Sequence, residues 1–306
     1  MGKTQPDVAV MIEGQNGVTW EDWRRIAETV EDAGFHGLFR SDHFTNADGP
    51  RTDALECWTS LTWLADNTDD IAFGPLVTPV SFRHPVFVAR FAKEVDDLAD
   101  GRLTLGLGAG WQEREHETFG FDLLDPDARF DRFEEGVEVV ASLLREDDPV
   151  TFEGTYYDLE GAQLLPRPER PGGPPILVGG NGPERTLRIA ARFADEWNGV
   201  FLTPDRFEDL NGRLDDYLRE EGREPAEVRR SVMTRVLFWR TATERERVLD
   251  GDDPKDHREA GAIVGDVERV KEHLDRLGEA GADRVMLQWL ELDDLERLAA
   301  LADAIR

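Results

Sequence analysis

The sequence is poor in cysteine and lysine and has no long apolar runs. Cys57 is the single cysteine, which excludes an internal disulfide and a metal site built from several cysteines. It stands at a helical position among Leu55, Trp58 and Leu61, so we expect a core residue rather than a nucleophile. No run of about 20 apolar residues is present, nor a basic leader followed by an apolar segment and a cleavage site. We therefore expect a cytoplasmic protein that neither spans a membrane nor is exported.

Positive charge is scarce, because 65 acidic residues face 36 basic ones and the formal net charge is −29 at pH 7. The acidic residues are spread along the chain, and the basic ones are nearly all arginine. Self-repulsion of this size destabilises a compact state in dilute salt. Molar salt removes most of it, since the Debye length falls to about 3 Å. We expect a halophilic protein adapted to a salt-rich cytoplasm, without a nucleic-acid partner, because phosphate binding depends on clustered Lys and Arg.

Apolar, β-branched segments alternate with amphipathic segments along the chain. Eight segments are predicted strands: 8–12, 37–40, 71–77, 103–107, 176–179, 195–200, 232–238 and 284–288. Eight have apolar residues at helical spacing: about 20–33, 53–68, 86–100, 130–145, 182–194, 204–222, 266–280 and 294–305. This alternation predicts an α/β fold, a closed (β/α)8 TIM barrel. The 306 residues suit a single barrel domain over 1–306, which takes about 250 residues plus insertions at the strand C-terminal ends.

Two stretches interrupt the alternation. Residues 150–157 have the pattern of a hairpin, with Glu153 and Gly154 at its turn. Residues 241–262 separate the seventh strand from its helix, and we expect an irregular lid or substrate loop there.

The C-terminal strand ends are the positions where barrel enzymes carry out chemistry. Polar, glycine and aromatic residues follow the strands there: Glu13; Ser41, Asp42 and His43; Thr78 and Pro79; Gly106 to Trp111; Gly179 to Gly182; Gln288 and Trp289. A histidine beside a carboxylate can be held in one tautomer and used to move a proton. The alternative for 41–43 is an Asx-type turn with a solvated histidine.

The glycines at 179–182 stand between a predicted strand and a predicted helix. Glycines let an anion approach the backbone, and a helix N-terminus offers free N–H groups and a positive dipole end. The segment therefore predicts a phosphate site, and the alternative is a glycine turn with Pro183 starting the helix. The Gly106-x-Gly-x-Gly segment is a weaker signal, because it lacks the full dinucleotide-binding spacing.

Five motifs, in this order and spacing, resemble those of the bacterial luciferase-like family of flavin and deazaflavin oxidoreductases. They are Ser-Asp-His-Phe at 41–44, Val-Thr-Pro at 77–79, Gly-Arg-Leu-Thr-Leu-Gly-Leu-Gly-Ala-Gly-Trp at 101–111, Gly-Thr-Tyr-Tyr at 154–157 and Pro-Ile-Leu-Val-Gly-Gly-Asn-Gly at 175–182. The resemblance covers essentially the whole chain. It is closest to the branch that uses coenzyme F420, an 8-hydroxy-5-deazaflavin with a phosphate-linked tail.

The resemblance implies roles for particular residues. His43 matches a histidine near the reactive C5 of the deazaflavin that assists proton movement, with Asp42 or Glu13 orienting it. Residues 74–78 match a bulge under the cofactor ring, with a non-proline cis bond expected at Pro75–Leu76. The cofactor-binding residues so implied are Pro75, Leu76, Thr78, Gly108, Gly110, Gly179, Gly180, Asn181 and Gly182.

One position departs from the family pattern. The sugar-phosphate-oxidising member has a glutamate where this chain has Trp111, so a sugar phosphate is not the expected substrate. Trp111 either stacks on a substrate or covers the barrel mouth. The family precedent also favours a homodimer, for which exposed helix faces around Trp58, Trp63 and Phe91 are candidates.

The function that this implies is hydride transfer between F420 and a small organic acceptor, for which a methylene-tetrahydropterin, a ketone or alcohol, and an activated alkene remain open. One alternative is an FMN-dependent luciferase-like monooxygenase, and another is a non-catalytic deazaflavin-binding protein. A metal-dependent hydrolase using His43, Asp42 and His116 is disfavoured, because no His-x-His pair is present. We expect His116, between Glu115 and Glu117, to lie on a solvated helix face.

Overall fold

The computed structural model describes residues 5–306. Its strands are β1 (Asp7–Ile12), β2 (Gly37–Arg40), β3 (Ala72–Pro75), β4 (Thr78–Pro79), β5 (Leu105–Gly108), β6 (Val150–Glu153), β7 (Asp158–Ala162), β8 (Ile176–Gly179), β9 (Glu196–Val200), β10 (Arg229–Phe238), β11 (Ile263–Gly265) and β12 (Arg284–Gln288). Its helices are α1 (Trp20–Asp32), α2 (Cys57–Asn67), α3 (Pro85–Leu98), α4 (Glu113–Phe119), α5 (Pro126–Arg145), α6 (Arg185–Phe193), α7 (Pro204–Glu220), α8 (Ala242–Leu249), α9 (Pro254–Glu259), α10 (Val267–Glu279) and α11 (Leu295–Ile305), with a 3-10 turn at Pro225–Glu227.

The main sheet is parallel and nearly closed. Its strands lie in the order β3-β2-β1-β12-β10-β9-β8-β5-β4. Because β3 and β4 are the two halves of the third barrel strand, and Phe73 bridges Leu103 in parallel, the sheet returns to its starting point. The predicted TIM barrel is confirmed.

Side-chain alternation along the strands builds two apolar layers. The barrel interior is filled by a small cluster: Ala9, Met11, Phe39, Leu76, Leu177, Met233 and Met286. A much larger cluster lies between the strands and the helices, and it includes the buried Cys57. Cys57 is therefore a core residue, as predicted.

The two insertions have different outcomes. A hairpin is present, but it is longer than predicted and its turn lies later: β6 and β7 pair antiparallel across residues 154–157, and Glu153 is within β6, paired with Asp158. The prediction of an irregular lid over residues 241–262 is wrong. Thr241 and Asp253 cap two short helices, α8 and α9. These helices lead into β11, which pairs in parallel with β10.

The non-proline cis bond lies between Leu76 and Val77, one bond beyond the predicted position. The N–H of Leu76 still donates to the carbonyl of Arg40 at 2.7 Å. The hydrogen bonding to β2 therefore continues through Leu76, and the interruption of the strand comes after that residue. Among residues 5–306, no helix is long and apolar enough to cross a membrane.

Candidate active site at the barrel mouth

A cavity of about 650 Å³ opens at the C-terminal ends of the barrel strands. Its size is typical of small-molecule sites. Most of the predicted site residues line it: Glu13, His43, Leu76, Gly108, Gly110, Trp111, Gly179, Gly180, Asn181 and Gly182. Three predicted residues, Asp42, Pro75 and Thr78, are not among its lining residues.

His43 is held by Glu115 at one side of the cavity. The ring Nδ1 of His43 lies 2.7 Å from Oε1 of Glu115, whose other oxygen accepts the backbone N–H of Phe44 at 3.0 Å. The Glu115 side chain is 1% exposed and that of His43 is 17% exposed. With Nδ1 engaged, Nε2 is the ring nitrogen left to exchange a proton with a molecule in the cavity.

The pair favours the charged form of both partners. Burial lowers the pKa of His43, but the hydrogen bond that Nδ1 of His43 donates to Glu115 and the charges of Glu115, Glu13 and Asp42 outweigh it and leave the pKa raised above 6.5. Burial raises the pKa of Glu115, but the hydrogen bond and charge of His43 leave it below 4.5. Both shifts favour the charged pair, an imidazolium beside a carboxylate, over the neutral pair.

The prediction that residues 115–117 form a solvated helix face is wrong for two of them. Glu115 and His116 are both buried. The ring nitrogens of His116 lie 2.6 Å from the carbonyl of Gln112 and 2.8 Å from Oγ of Ser81, so His116 is a packing residue. Within residues 5–306, no group of three His, Cys, Asp or Glu side chains could hold a metal ion, so the described part of the chain offers no such cluster for the hydrolase alternative.

Asp42 has partners other than His43, so the prediction that it orients the imidazole is wrong. Oδ2 of Asp42 accepts hydrogen bonds from Thr78 at 2.9 Å and from Arg83 at 2.5 Å. Arg83 also contacts Glu56 at 2.7 Å, and its pKa is raised because these carboxylates outweigh the effect of its burial. Asp42 adds negative charge near His43 and fastens the end of β2 to the segment after β4.

Glu13 is held between two amide side chains. Gln288 at the end of β12 donates to one carboxylate oxygen at 2.6 Å, and Gln15 donates to the other at 3.0 Å. Gln15 in turn accepts the hydroxyl of Ser41 at 2.7 Å. The network ties the ends of three neighbouring strands together and keeps a carboxylate facing the cavity.

Glycines form the side of the mouth where β5 and β8 end. A Cβ on Gly182 would lie 2.6 Å from Oγ1 of Thr186, and one on Gly108 would lie 2.5 Å from Cγ2 of Val77. Gly180 has φ +131°, in the region that side chains rarely adopt. α6 begins at Arg185, three residues later than predicted, and its N-cap Glu184 makes no side-chain cap hydrogen bond. The missing side chains at Gly108 and Gly182 thus make room for Val77 and Thr186, while the four glycines at 108, 179, 180 and 182, the glycine cradle, line the cavity.

Two asparagine side chains near the glycines differ in which of their polar atoms have hydrogen-bond partners. The side chain of Asn181 is fully used by Val200, to which it donates at 2.7 Å and from which it accepts at 2.8 Å. Asn198 is 1% exposed, and its nitrogen donates to Ser231 at 2.9 Å, whereas its Oδ1 has no hydrogen-bond partner. That oxygen is buried as well as unpaired, and such groups are rare in native structures.

Trp111 stands at the rim above His43. It is 62% exposed, and its indole meets the imidazole edge-on with the ring centroids 5.7 Å apart. The exposure of Trp111 and its edge-on contact with His43 are compatible with both predicted roles, which are stacking on a substrate and covering the barrel mouth.

Asn198 and Glu115 are among the lining residues that sequence reasoning missed. Asn198 lies inside β9, where only its polarity within an apolar strand marked it. Glu115 lies in α4, a short polar helix without apolar periodicity. The signal available for Glu115 was its position in the chain, because a helix that directly follows the end of β5 must begin at the barrel mouth.

Comparison with known proteins gives the same fold and a family. The luciferase-like monooxygenase family matches residues 4–252. An F420-dependent glucose-6-phosphate dehydrogenase of Kineococcus radiotolerans is 33% identical over 223 residues, which is 70% of this chain and 63% of that protein. This chain thus spans less than two thirds of that relative's length.

Solved structures resemble the whole chain at low identity. An F420-dependent secondary alcohol dehydrogenase, in complex with an F420-acetone adduct, has a TM-score of 0.83 at 19% identity over 99% of both chains. The EDTA monooxygenase of Chelativorans sp. BNC1 has a TM-score of 0.81 at 17% identity, covering 98% of this chain and 92% of that one. At these identities the structures establish the fold, whereas the family rests on the matched residues. The chain belongs to the luciferase-like monooxygenase family.

Proposed function

We propose that the protein is an F420-dependent oxidoreductase that transfers a hydride between the deazaflavin and a small organic acceptor. The proposal rests on one observation: His43, held by the buried Glu115, lines the same cavity as the glycines at the ends of β5 and β8. The names of the Kineococcus relative and of the alcohol dehydrogenase support the choice of cofactor.

The residues present fit such a cofactor. Gly108, Gly179, Gly180 and Gly182 would line its site with bare backbone, and the first turn of α6 would face its phosphate. Bound there, a deazaflavin supplies hydride chemistry and the protein supplies orientation and exclusion of water.

The acid-base work falls to this chain's own side chains. His43 would hold or release the proton at Nε2, and Glu115 would fix the ring and keep it charged. Glu13 would add negative charge near the imidazole. Asp42 and Thr78 would act at a distance, by holding the β2 and β4 ends in place.

An FMN-dependent monooxygenase is the second candidate, favoured by the family match and by the fold of the EDTA monooxygenase. Single-turnover reactions separate the two. We expect reduced F420 to be reoxidised by an organic acceptor at the same rate under nitrogen and in air. Reaction only with reduced FMN, with one oxygen molecule consumed per turnover, would establish the monooxygenase instead. Binding of F420 without exchange with any acceptor would establish a non-catalytic binder.

A second copy of the chain would cover the exposed face of α3. Phe87, Phe91 and Leu98 lie four and seven residues apart, on one helix face, and are 57%, 40% and 47% exposed. Trp58 packs against Phe91 with ring centroids 6.0 Å apart. Trp63 packs instead on Trp20 of α1. Sedimentation should give a dimer for the wild type and a monomer for Phe91→Glu, and a wild-type monomer would refute the dimer.

A further inference from the structure

Arg235 is a cation without a partner near the barrel mouth. It lies in β10 opposite Gln288 of β12, and Gln288 lines the cavity. The Nε of Arg235 is buried and has no hydrogen-bond partner. The residue as a whole is half-buried, and within residues 5–306 its side chain takes part in no hydrogen bond or ion pair. An unpaired charge that has lost part of its water costs free energy, which a bound anion would recover.

The other arginines around the mouth are held by protein atoms. Arg83 is bound by two carboxylates. Arg114 donates to two backbone carbonyls of the loop after β2, at 3.1 and 3.0 Å. Arg129 donates to one backbone carbonyl of the segment after β5, at 3.2 Å. Arg235 differs from all three, because no such contact fixes its guanidinium.

The position of Arg235 along β10 directs it toward the barrel interior. Alternate residues of a strand share one face. Met233, two residues earlier, belongs to the cluster that fills the interior, and it also lines the cavity. Arg235 is the next residue of this column on the side of the mouth. Phe201, after the neighbouring β9, and Leu290, after the neighbouring β12, line the cavity on either side. A ligand that fills the mouth therefore comes within reach of this arginine.

The place of β10 in the barrel relates Arg235 to the proposed cofactor. Along the sheet, β12 and β10 lie midway between β2, which ends before His43, and β8, which ends in the glycine cradle. In a deazaflavin, the reactive C5 and the N10 that carries the phosphate-linked tail are opposite atoms of the central ring. With C5 near His43 and the tail in the cradle, one end of the three-ring system lies toward β10 and β12.

Both ends of a deazaflavin can carry negative charge on oxygen. At one end, the 8-hydroxyl of the oxidised form is an acid whose anion is conjugated with the ring. At the other end, the N1–C2 carbonyl unit of the reduced form is an acid of the same kind. A guanidinium pairs well with a planar oxygen anion. We propose that Arg235 binds an anionic oxygen of the deazaflavin ring. This assignment rests on the proposed function.

Absorbance titrations of bound F420 test the assignment without any acceptor. Oxidised F420, and reduced F420 under nitrogen, are titrated on the wild type and on Arg235→Gln. Molar KCl is used, because a Debye length of about 3 Å leaves only direct contacts effective. Arg235→Gln should raise the pKa of one of the two ring acids by about one unit or more, since a cation in contact favours the anion. The acid that shifts identifies the ring end that lies at β10.

Matched variants separate charge from shape. Arg235→Lys keeps the charge and should retain most of the wild-type pKa. Arg240→Gln removes an exposed arginine two residues after β10, which is paired with Glu244 at 2.6 Å, and it should titrate like the wild type. Arg235→Met keeps the apolar stem and gives the same comparison if the glutamine variant does not fold. The other charged groups that line the cavity, Glu13, His43 and Glu115, are the same in every variant.

The outcomes distinguish this inference from the proposed function. If both ring acids titrate alike in the wild type, Arg235→Gln and Arg235→Met, the assignment is overturned while F420 binding stands. An equal shift of both acids would also overturn it, because a contact affects one end of the ring more than the other. Failure of the wild type to bind F420 is a different result, which removes the proposed function and this assignment with it.

Discussion

His43 and Glu115, which stand 72 residues apart in the chain, meet at 2.7 Å in the barrel mouth. One comes from the end of β2 and the other from the helix after β5. Because Glu115 is almost completely buried and also accepts the N–H of Phe44, the imidazole has one orientation and one free nitrogen. The proton chemistry of the proposed reaction depends on this contact.

Replacing His43 by Ala should reduce turnover by about 10²- to 10⁴-fold, the usual contribution of a positioned acid or base. F420 affinity should change by less than about threefold, because the cradle lies on other strands. Single-turnover reduction and a fluorescence titration measure the two effects. His257→Asn, in α9, is the control. Unchanged turnover in His43→Ala would exclude this histidine from the mechanism.

Replacing Glu115 by Gln should lower the pKa of His43, since the hydrogen bond and the charge that raise it are weakened. Reduction of the acceptor, which in the proposed reaction uses the protonated ring, should then decline at lower pH than in the wild type and be slower by about 10- to 100-fold at pH 7. The pH profile of kcat/KM measures this shift. Glu117→Gln, on the exposed side of α4, should have the wild-type profile.

The same pair contributes to stability over a defined pH range. The raised pKa of His43 gives a contribution that is complete below 6.5 and is lost as pH rises through the raised value. The lowered pKa of Glu115 gives one that is complete above 4.5 and is lost as pH falls through the lowered value. The Tm difference between wild type and Glu115→Gln should therefore be largest between pH 4.5 and 6.5. A difference independent of pH would contradict the ion pair.

Asp42→Ala should destabilise the protein by about 2–4 kcal/mol. The side chain of Arg83 is only 13% exposed, and the substitution leaves Glu56 as its one remaining carboxylate partner. Turnover per folded molecule should fall by less than about tenfold, since Asp42 does not line the cavity. Urea unfolding and kinetics on the same samples separate the two. Asp48→Ala, an exposed carboxylate in the following loop, should change stability by less than about 0.5 kcal/mol. A loss of turnover as large as that of His43→Ala would make Asp42 catalytic.

Stability should rise with KCl. At a net charge of −29, repulsion is strongest in dilute buffer. The Debye length falls from about 30 Å at 0.01 M to about 3 Å at 1 M. We expect Tm to increase by about 5 °C or more across this range, which corresponds to a few kcal/mol. A Tm that falls with salt would mean that the surface ion pairs outweigh the net repulsion, and would contradict adaptation to a salt-rich cytoplasm.

The barrel was predictable because its strands are largely buried and each contains an apolar core segment. β1 was expected at 8–12 and is Asp7–Ile12, and β10 was expected at 232–238 and is Arg229–Phe238. α5 begins four residues earlier than its apolar pattern indicated, at Pro126, because Asp125 caps it. Periodicity reports the buried face of a helix, whereas its first turn is set by the cap.

The partners within the site were harder to predict, because they join distant parts of the chain. The Glu-Arg-Glu-His-Glu run at 113–117 has the composition of a solvated helix, and only the fold brings Glu115 to His43. Asp42 stands next to His43 in the sequence, yet its partner Arg83 is 41 residues away. Neighbouring side chains at a strand end point to opposite sides, so adjacency in sequence was a poor guide to contact.

A fluorescence titration in molar KCl, with F420 and separately with FMN, tests the central claim most directly. We expect the wild type to bind F420 tightly and FMN far more weakly. Gly180→Val should weaken F420 binding by at least about tenfold, since Gly180 has a positive φ within the cradle. Gly222→Val, at a positive φ in open space after α7, should bind F420 like the wild type. Preference for FMN, or no binding of either cofactor, would contradict the account.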